Sequence, residues 1–100
     1  MTLLDIRLIN SNTIPLDGLA SHVGNTPLLP LRRVTSGLSP RVKIFAKAEW
    51  FNPGGSIKDR IALSMIAAAE KDGKLRQGST LIEATAGNTG LGLALVAAQK

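Results

Sequence analysis

The strongest constraint on the fold is a turn that leads directly into a helix, over residues 52–60. Its sequence, Asn-Pro-Gly-Gly-Ser-Ile-Lys-Asp-Arg, joins a proline that presets φ to glycines that adopt conformations closed to other residues. Ser56 and Asp59 have the spacing of a helix capping box, and an apolar run of helical periodicity follows them. The sequence predicts a helix from after Ser56 to about Asp72, ended by Gly73.

Strand-like segments flank this helix. Residues 42–50 alternate apolar and polar side chains, and residues 79–84 form a short run bounded by turn formers. A shorter strand or sheet edge is expected at residues 28–31, after the proline at position 27. Two strands joined through one helix form a right-handed crossover with parallel strands. The predicted fold class is therefore α/β with a parallel sheet.

Lys58 occupies an unusual place for a lysine, in the first turn of the predicted helix. The positive end of the helix dipole disfavours a cation there by about 0.3–1 kcal/mol, which favours the neutral amine. Neutral amines are nucleophiles and condense with carbonyls to give Schiff bases. The alternative is a solvated lysine whose charge is offset by Asp59. This alternative is the ordinary case, because most lysines are surface residues. Lys58 is thus a candidate catalytic residue.

A loop of small residues, Thr-Ala-Gly-Asn-Thr-Gly at positions 85–90, follows the second predicted strand and precedes an apolar helix. Small side chains let an anion approach the backbone N–H groups, and a helix N-terminus favours negative charge. The loop lacks the lysine of a Walker A motif, and Thr89 stands where a dinucleotide fingerprint needs glycine. A carboxylate or small phosphate is the predicted ligand. The alternative is a glycine-rich turn that only packs the helix against the strand.

Composition excludes several classes of function. The 12 Lys and Arg against 7 Asp and Glu are scattered along the chain, and there are only three aromatic residues, which argues against a nucleic-acid-binding platform. The lack of cysteine excludes disulfides, cysteine-zinc sites and a thiol nucleophile, and no metal site is predicted. No secretory signal or membrane-spanning run is seen. A soluble cytoplasmic protein is expected.

The chain is expected to divide between residues 23 and 24, where the motif beginning at Gly24 starts. Residues 1–23 are predicted to be an N-terminal arm, in which His22 has an ordinary surface or core role. The last helix is apolar on nearly every face, and a single crossover cannot bury such a helix. The chain is therefore expected to be the N-terminal part of a longer protein, or to be incomplete without a partner.

Three motifs occur together in a fixed order: Gly-Asn-Thr-Pro-Leu at 24–28, the turn at 52–60, and Glu-Ala-Thr-Ala-Gly-Asn-Thr-Gly at 83–90. Together they resemble the cysteine synthase and cystathionine β-synthase family of pyridoxal-phosphate enzymes. The resemblance covers residues 24–100 and implies the fold type II, tryptophan synthase β-like architecture. It implies that these residues are the N-terminal part of the catalytic domain, in a truncated chain.

The resemblance also implies roles for individual residues. Lys58 would hold pyridoxal phosphate as a Schiff base and, once freed, would remove the Cα proton, with the cofactor as electron sink. Asn88 would hydrogen-bond the cofactor's ring hydroxyl. The amino-acid carboxylate would bind at Thr85, Ala86, Gly87 and Thr89. Many family members have serine at the position of Ala86, so the amino-acid preference stays open.

The activity implied is that of a cysteine synthase, which combines O-acetylserine with sulfide, in a homodimer. One alternative is a cystathionine β-synthase, which uses homocysteine as nucleophile. An alternative of another class is a non-catalytic binding or assembly module. The family's phosphate-binding loop and the partner of the pyridine nitrogen lie beyond Lys100, so the 100-residue chain alone is expected to be inactive.

Overall fold

The computed structural model describes residues 18–100, so residues 1–17 of the predicted arm lie outside the described residues. The elements are a 3-10 helix at Gly18–His22, strands β1 (Leu28–Pro30) and β2 (Phe45–Lys47), a second 3-10 helix at Glu49–Phe51, and helices α1 (Lys58–Lys71) and α2 (Asn88–Gln99). None of the helices in this range is long and apolar enough to cross a membrane.

The sheet differs from the predicted one. Strands β1 and β2 pair antiparallel, with Leu28 opposite Lys47. Backbone bonds extend the ladder at both ends, from Leu31 N–H to Ile44 O and from Ala48 N–H to Pro27 O, each 2.9 Å long. An antiparallel pair closes through a simple loop and needs no helical crossover. The predicted parallel sheet is therefore not confirmed, and within residues 18–100 the sheet has two strands.

The strand predicted at residues 79–84 is also not formed. Residues 79–85 carry no assigned secondary structure, and the side chain of Ile82 is 90% exposed. A parallel strand exists only where a neighbouring strand supplies hydrogen bonds along its edge. No strand pairs with this segment anywhere in the described range, so its apolar side chains remain uncovered.

Helix α1 begins as predicted, but its cap differs in part. The Ser56 hydroxyl accepts a hydrogen bond from the Lys58 backbone N–H at 3.1 Å, but the N-cap residue is Ile57, which makes no side-chain cap hydrogen bond. The Asp59 carboxylate does not return to Ser56, as a capping box requires. It accepts instead from the Gly54 N–H at 2.5 Å. The predicted capping box is therefore wrong in both halves, because the Ser56 hydroxyl bonds the Lys58 N–H rather than that of Asp59, and the Asp59 carboxylate holds the preceding turn.

The end of α1 confirms the prediction for Gly73. Its φ is +70°, a left-handed conformation that glycine adopts without steric cost. Its N–H donates to Glu70 O at 3.0 Å, and the Lys74 N–H donates to Ala69 O at 2.9 Å. These two bonds form a Schellman motif, which satisfies carbonyls that the helix end leaves without partners.

The core lies between α1 and α2. Its buried side chains are Ala62, Leu63, Ile66, Leu93 and Val96. At one end of the pair, a Cβ placed on Gly92 would lie 3.1 Å from the Lys58 carbonyl oxygen. At the other end, Lys100 Nζ contacts the Glu70 carboxylate at 2.7 Å. The helices therefore run in the same direction and bring their N-termini to one end of the molecule.

Within residues 18–100, helix α2 is covered only in part. The face that meets α1 is buried, while Leu91 on another face is 60% exposed. The first 3-10 helix adds a second contact, through a hydrogen bond from the Leu19 N–H to Gln99 Oε1 at 2.9 Å. As the apolar pattern predicts, these neighbours do not cover the whole helix.

Candidate functional site

Lys58 is the first residue of α1, and its side chain is half-buried. Its backbone is held on both sides, by the Ser56 hydroxyl at its N–H and by the close approach of Gly92 at its carbonyl. Within residues 18–100, its amine makes no hydrogen bond or ion pair. Asp59, the partner expected if Lys58 were an ordinary solvated lysine, is 1% exposed and contacts Gly54. The structure therefore leaves a primary amine available at the helix N-terminus.

The loop before α2 is organised by Thr85. Its hydroxyl oxygen accepts hydrogen bonds from the Gly87 N–H at 3.3 Å and the Gly90 N–H at 3.2 Å. A Cβ on Gly90 would lie 2.5 Å from the Thr85 methyl carbon, so glycine is needed for this close approach. The loop was predicted to bind a carboxylate through its backbone N–H groups. Two of these groups, those of Gly87 and Gly90, instead bind the Thr85 side chain.

The amides at the start of α2 differ from those two. The first N–H groups of a helix have no partner within it, and Thr85 takes that of Gly90 alone among the first three. The N–H groups of Asn88 and Thr89 therefore have no partner within residues 18–100 and lie at the positive end of the helix dipole. The loop therefore offers an anion two backbone donors fewer than the sequence predicts, since those of Gly87 and Gly90 are taken.

Lys58 and the 85–90 loop lie at the same end of the helix pair. The Lys58 carbonyl meets Gly92, about one turn into α2, so the amine-bearing turn lies beside the start of α2. Four of the loop residues predicted to contact cofactor or substrate are exposed, and Thr89 is half-buried. The exposed ones are Thr85, Ala86, Gly87 and Asn88. The site as described is therefore open to a ligand.

Sequence reasoning missed a polar network beneath this turn, centred on Glu49 and Arg60. Arg60 Nε lies 2.8 Å from Glu49 Oε2, and Arg60 Nη2 lies 3.1 Å from Glu49 Oε1. Thr26 Oγ1 donates to Glu49 Oε1 at 2.8 Å, and Asn52 Nδ2 donates to Glu49 Oε2 at 2.8 Å. The alternating pattern of residues 42–50 predicted only that Glu49 lies on the polar side of a strand.

A signal for this network was present in the charges. Glu49 is the first acidic residue after Asp17. The stretch between them contains five Lys and Arg residues, so a single carboxylate among them is expected to pair with a cation. The sequence does not identify that cation. It is Arg60, which lies eleven residues further along the chain and reaches Glu49 only in the folded structure.

The electrostatics of the network follow from its geometry. The hydrogen-bonded Arg60 guanidinium lowers the pKa of Glu49 from 4.5 to about 2, against the opposing effect of burial, and Thr26 and Asn52 assist. Glu49 in turn raises the pKa of Arg60. Asn52 Oδ1 also accepts from the Gly24 N–H at 2.8 Å. The network therefore ties the 24–28 motif to the 52–60 motif.

Comparison with known proteins supports the same grouping of motifs. A family model described as pyridoxal-phosphate dependent enzyme matches residues 19–100. A cysteine synthase of Staphylococcus aureus (strain N315) is 48% identical over 86 residues, which are 86% of this chain and 27% of that protein. The cystathionine β-synthase of Saccharomyces cerevisiae is 56% identical over 79 residues, which are 78% of this chain and 16% of that protein.

A solved structure agrees with these relatives. The crystal structure of an O-ureido-L-serine synthase matches with a TM-score of 0.74 and 41% identity, over 86% of this chain and 26% of that one. The chain thus spans about a quarter or less of the length of these three proteins. The resemblance predicted from the three motifs is confirmed at the level of the family.

Proposed function

The chain belongs to the pyridoxal-phosphate-dependent enzyme family, and from this premise we propose that the protein containing it is a cysteine synthase. The reaction proposed replaces the acetate of O-acetyl-L-serine by sulfide, to give L-cysteine and acetate. Relatives about half identical in sequence bear the names cysteine synthase and cystathionine β-synthase. The observation that carries the proposal is that Lys58, whose amine has no hydrogen bond or ion pair among residues 18–100, lies in a turn beside the N-terminal end of α2.

The residues present fit the cofactor. An aldehyde needs a primary amine, and Lys58 supplies one that is half-buried and makes no competing contact among residues 18–100. Asn88, at the first position of α2, would hydrogen-bond the ring hydroxyl. When bound, pyridoxal phosphate supplies an electron sink for carbanion chemistry at Cα.

The substrate carboxylate would bind at the start of α2. The N–H groups of the first turn, with the helix dipole behind them, favour a negative group. Thr85, Ala86, Gly87 and Thr89 form this part of the proposed site, and Thr85 shapes the loop through its two backbone contacts. Since Ala86 has no hydroxyl, the loop offers the carboxylate backbone donors at that position.

Lys58 would have a second role, as the base that accepts the Cα proton. This role requires the amine to be neutral and free to move over the substrate. The amine has no anionic partner in the described part of the chain. The same amine would thus hold the cofactor at rest and transfer a proton during turnover.

A second candidate is a cystathionine β-synthase, in which homocysteine replaces sulfide. It is favoured by the 56% identity with the yeast enzyme of that name. The choice depends on how the nucleophile is bound, for which residues 18–100 offer no separate group. A non-catalytic binding or assembly module, the third reading, would have no need of an amine at this position. A homodimer in the cytoplasm is part of the proposal.

The test uses the complete protein with O-acetylserine and either sulfide or homocysteine. We expect cysteine from sulfide at a rate at least tenfold above the rate of cystathionine formation. Lys58→Ala should abolish both products, while Lys74→Ala, a change at an exposed lysine, should abolish neither. Faster cystathionine formation would select the second candidate. Unchanged function in folded Lys58→Ala protein would select the non-catalytic module.

A further inference from the structure

The Glu49–Arg60 pair lies under the turn that carries Lys58, and no step of the proposed reaction uses it. We propose that Glu49 and Arg60 are positioning residues, which hold the first turn of α1 so that the Lys58 amine faces the start of α2. This inference rests on the proposed role of Lys58. It assigns a purpose to the 24–28 motif as well, because that motif is bound to the same network.

The geometry of one helical turn supports this role. Residues two apart in an α-helix are separated by about 200° around its axis, so Arg60 projects from the side of α1 opposite Lys58. Its guanidinium makes two bonds to Glu49, of 2.8 and 3.1 Å, and one of 3.3 Å to Thr26 Oγ1. A planar guanidinium bound at two nitrogens resists rotation as well as translation. The pair therefore fixes how the turn is rotated about its axis.

The segment before Lys58 is fixed by the same network. Asn52 donates to both the backbone oxygen and the carboxylate of Glu49, at 2.7 and 2.8 Å. Asp59 holds Gly54 at 2.5 Å. The glycine-containing turn between Asn52 and Lys58 is thus attached at its start, its middle and its end.

Lys58 differs from its neighbours in this fixed turn. Asp59 is buried, and Arg60 is paired, whereas the half-buried Lys58 side chain has no hydrogen bond or ion pair to fix its amine among residues 18–100. Its orientation is therefore set by the backbone of the turn. Release of Arg60 would let the turn fray, as helix termini do where tertiary contacts are lost, and would move the amine without changing its chemistry.

The experiment measures the Lys58 amine directly, in the complete protein after hydroxylamine has removed bound aldehyde. Glu49→Gln and Arg60→Lys loosen the pair with minimal change of shape. Ile66→Val, in the core between α1 and α2, is the control for general destabilisation. Limiting acetic anhydride and peptide mass mapping give the acetylation rate of Lys58 relative to the exposed Lys71. Absorbance gives the rate at which each variant takes up pyridoxal phosphate.

We expect both pair variants to acetylate Lys58 at least threefold faster, relative to Lys71, and to take up pyridoxal phosphate at least threefold more slowly. A further variant, Arg60→Ala, removes the guanidinium altogether, and it should take up pyridoxal phosphate more slowly than Arg60→Lys. Ile66→Val should change neither rate by more than a factor of 1.5. A loosened turn exposes the amine to a small reagent while misdirecting it for the cofactor, so opposite changes distinguish positioning from simple unfolding.

Two results would overturn the inference. One is a Lys58 acetylation ratio in Glu49→Gln and Arg60→Lys equal to that of the unchanged protein. The other is a change of the same size in Ile66→Val. Failure of the proposed function would look different, since the unchanged protein would then take up no cofactor at Lys58. The acetylation ratios would still decide whether the pair orients this turn.

Discussion

Replacement of Gly92 by alanine tests whether the contact between the helices is as close as the structure shows. A Cβ at this position would lie 3.1 Å from both Ala62 Cβ and the Lys58 carbonyl oxygen, whereas carbon atoms in ordinary contact are about 3.5–4.0 Å apart. Because both neighbours belong to α1, the added methyl can be accommodated only by moving the helices apart by a few tenths of an ångström.

The magnitude is a difference between two effects. Overpacking of a close core contact costs about 1–3 kcal/mol, and exchange of glycine for alanine inside a helix returns about 1 kcal/mol. The expected net result is a loss of about 0–2 kcal/mol in the free energy of unfolding. The displacement falls at Lys58, so cofactor uptake should slow in the same variant.

The assay is urea denaturation of the complete protein, with Ala94→Gly as matched control. Ala94 lies on an exposed face of α2, so that variant measures helix propensity alone and should lose about 1 kcal/mol. If Gly92→Ala instead raised the free energy of unfolding by about 1 kcal/mol, helix propensity alone would explain the change and no overpacking would be present. The close contact between α2 and the Lys58 turn would then be refuted.

Two further changes follow from the polar contacts. The Glu49 carboxylate, with its pKa of about 2 against 4.5 ordinarily, stabilises the fold above about pH 4.5 and loses that effect as the pH falls toward 2. Glu49→Gln should remove this part of the pH dependence, about 1–2 kcal/mol since Arg60 is partly exposed, and melting temperatures between pH 2 and 6 measure it. An identical melting profile in Glu49→Gln would contradict this reading. Thr85→Val removes the acceptor for the Gly87 and Gly90 amides, so we expect about 1 kcal/mol lower stability and a raised KM for the amino acid; an unchanged KM would exclude Thr85 from shaping the carboxylate site.

The helices could be predicted from the sequence because their signals are local. The turn at 52–60, the apolar periodicity after it and Gly73 define α1 within a few residues of its observed bounds. The start of α2 was predicted from the 85–90 loop in the same way. Capping and termination act over three to five residues, and a sequence contains all of that information.

The sheet and the Glu49 network could not be predicted, for a shared physical reason. Strand pairing depends on a partner that sequence periodicity does not identify. Residues 42–50 were therefore predicted to join a parallel sheet, whereas only Phe45–Lys47 form a strand, which pairs antiparallel with β1. Glu49 was likewise placed on a polar strand face, although the chain returns Arg60 to it. In both cases the deciding contact joins segments that no local pattern connects.

Of the candidate site, the family motifs were predictable and the detailed geometry was not. The three motifs identified the family that the comparisons confirm. That Thr85 would bind the Gly87 and Gly90 amides could not be seen, because side-chain rotamers in a loop depend on its folded shape. The roles of Lys58 and Asn88 remain predictions.

The position of the cofactor on the complete protein can be measured directly. Borohydride reduction fixes a bound pyridoxal phosphate to its lysine, and peptide mass mapping then identifies that residue. We predict a single reduced pyridoxyl group on Lys58, with none on Lys71 or Lys74. A protein that takes up the cofactor on another lysine, or on none, would contradict the central claim.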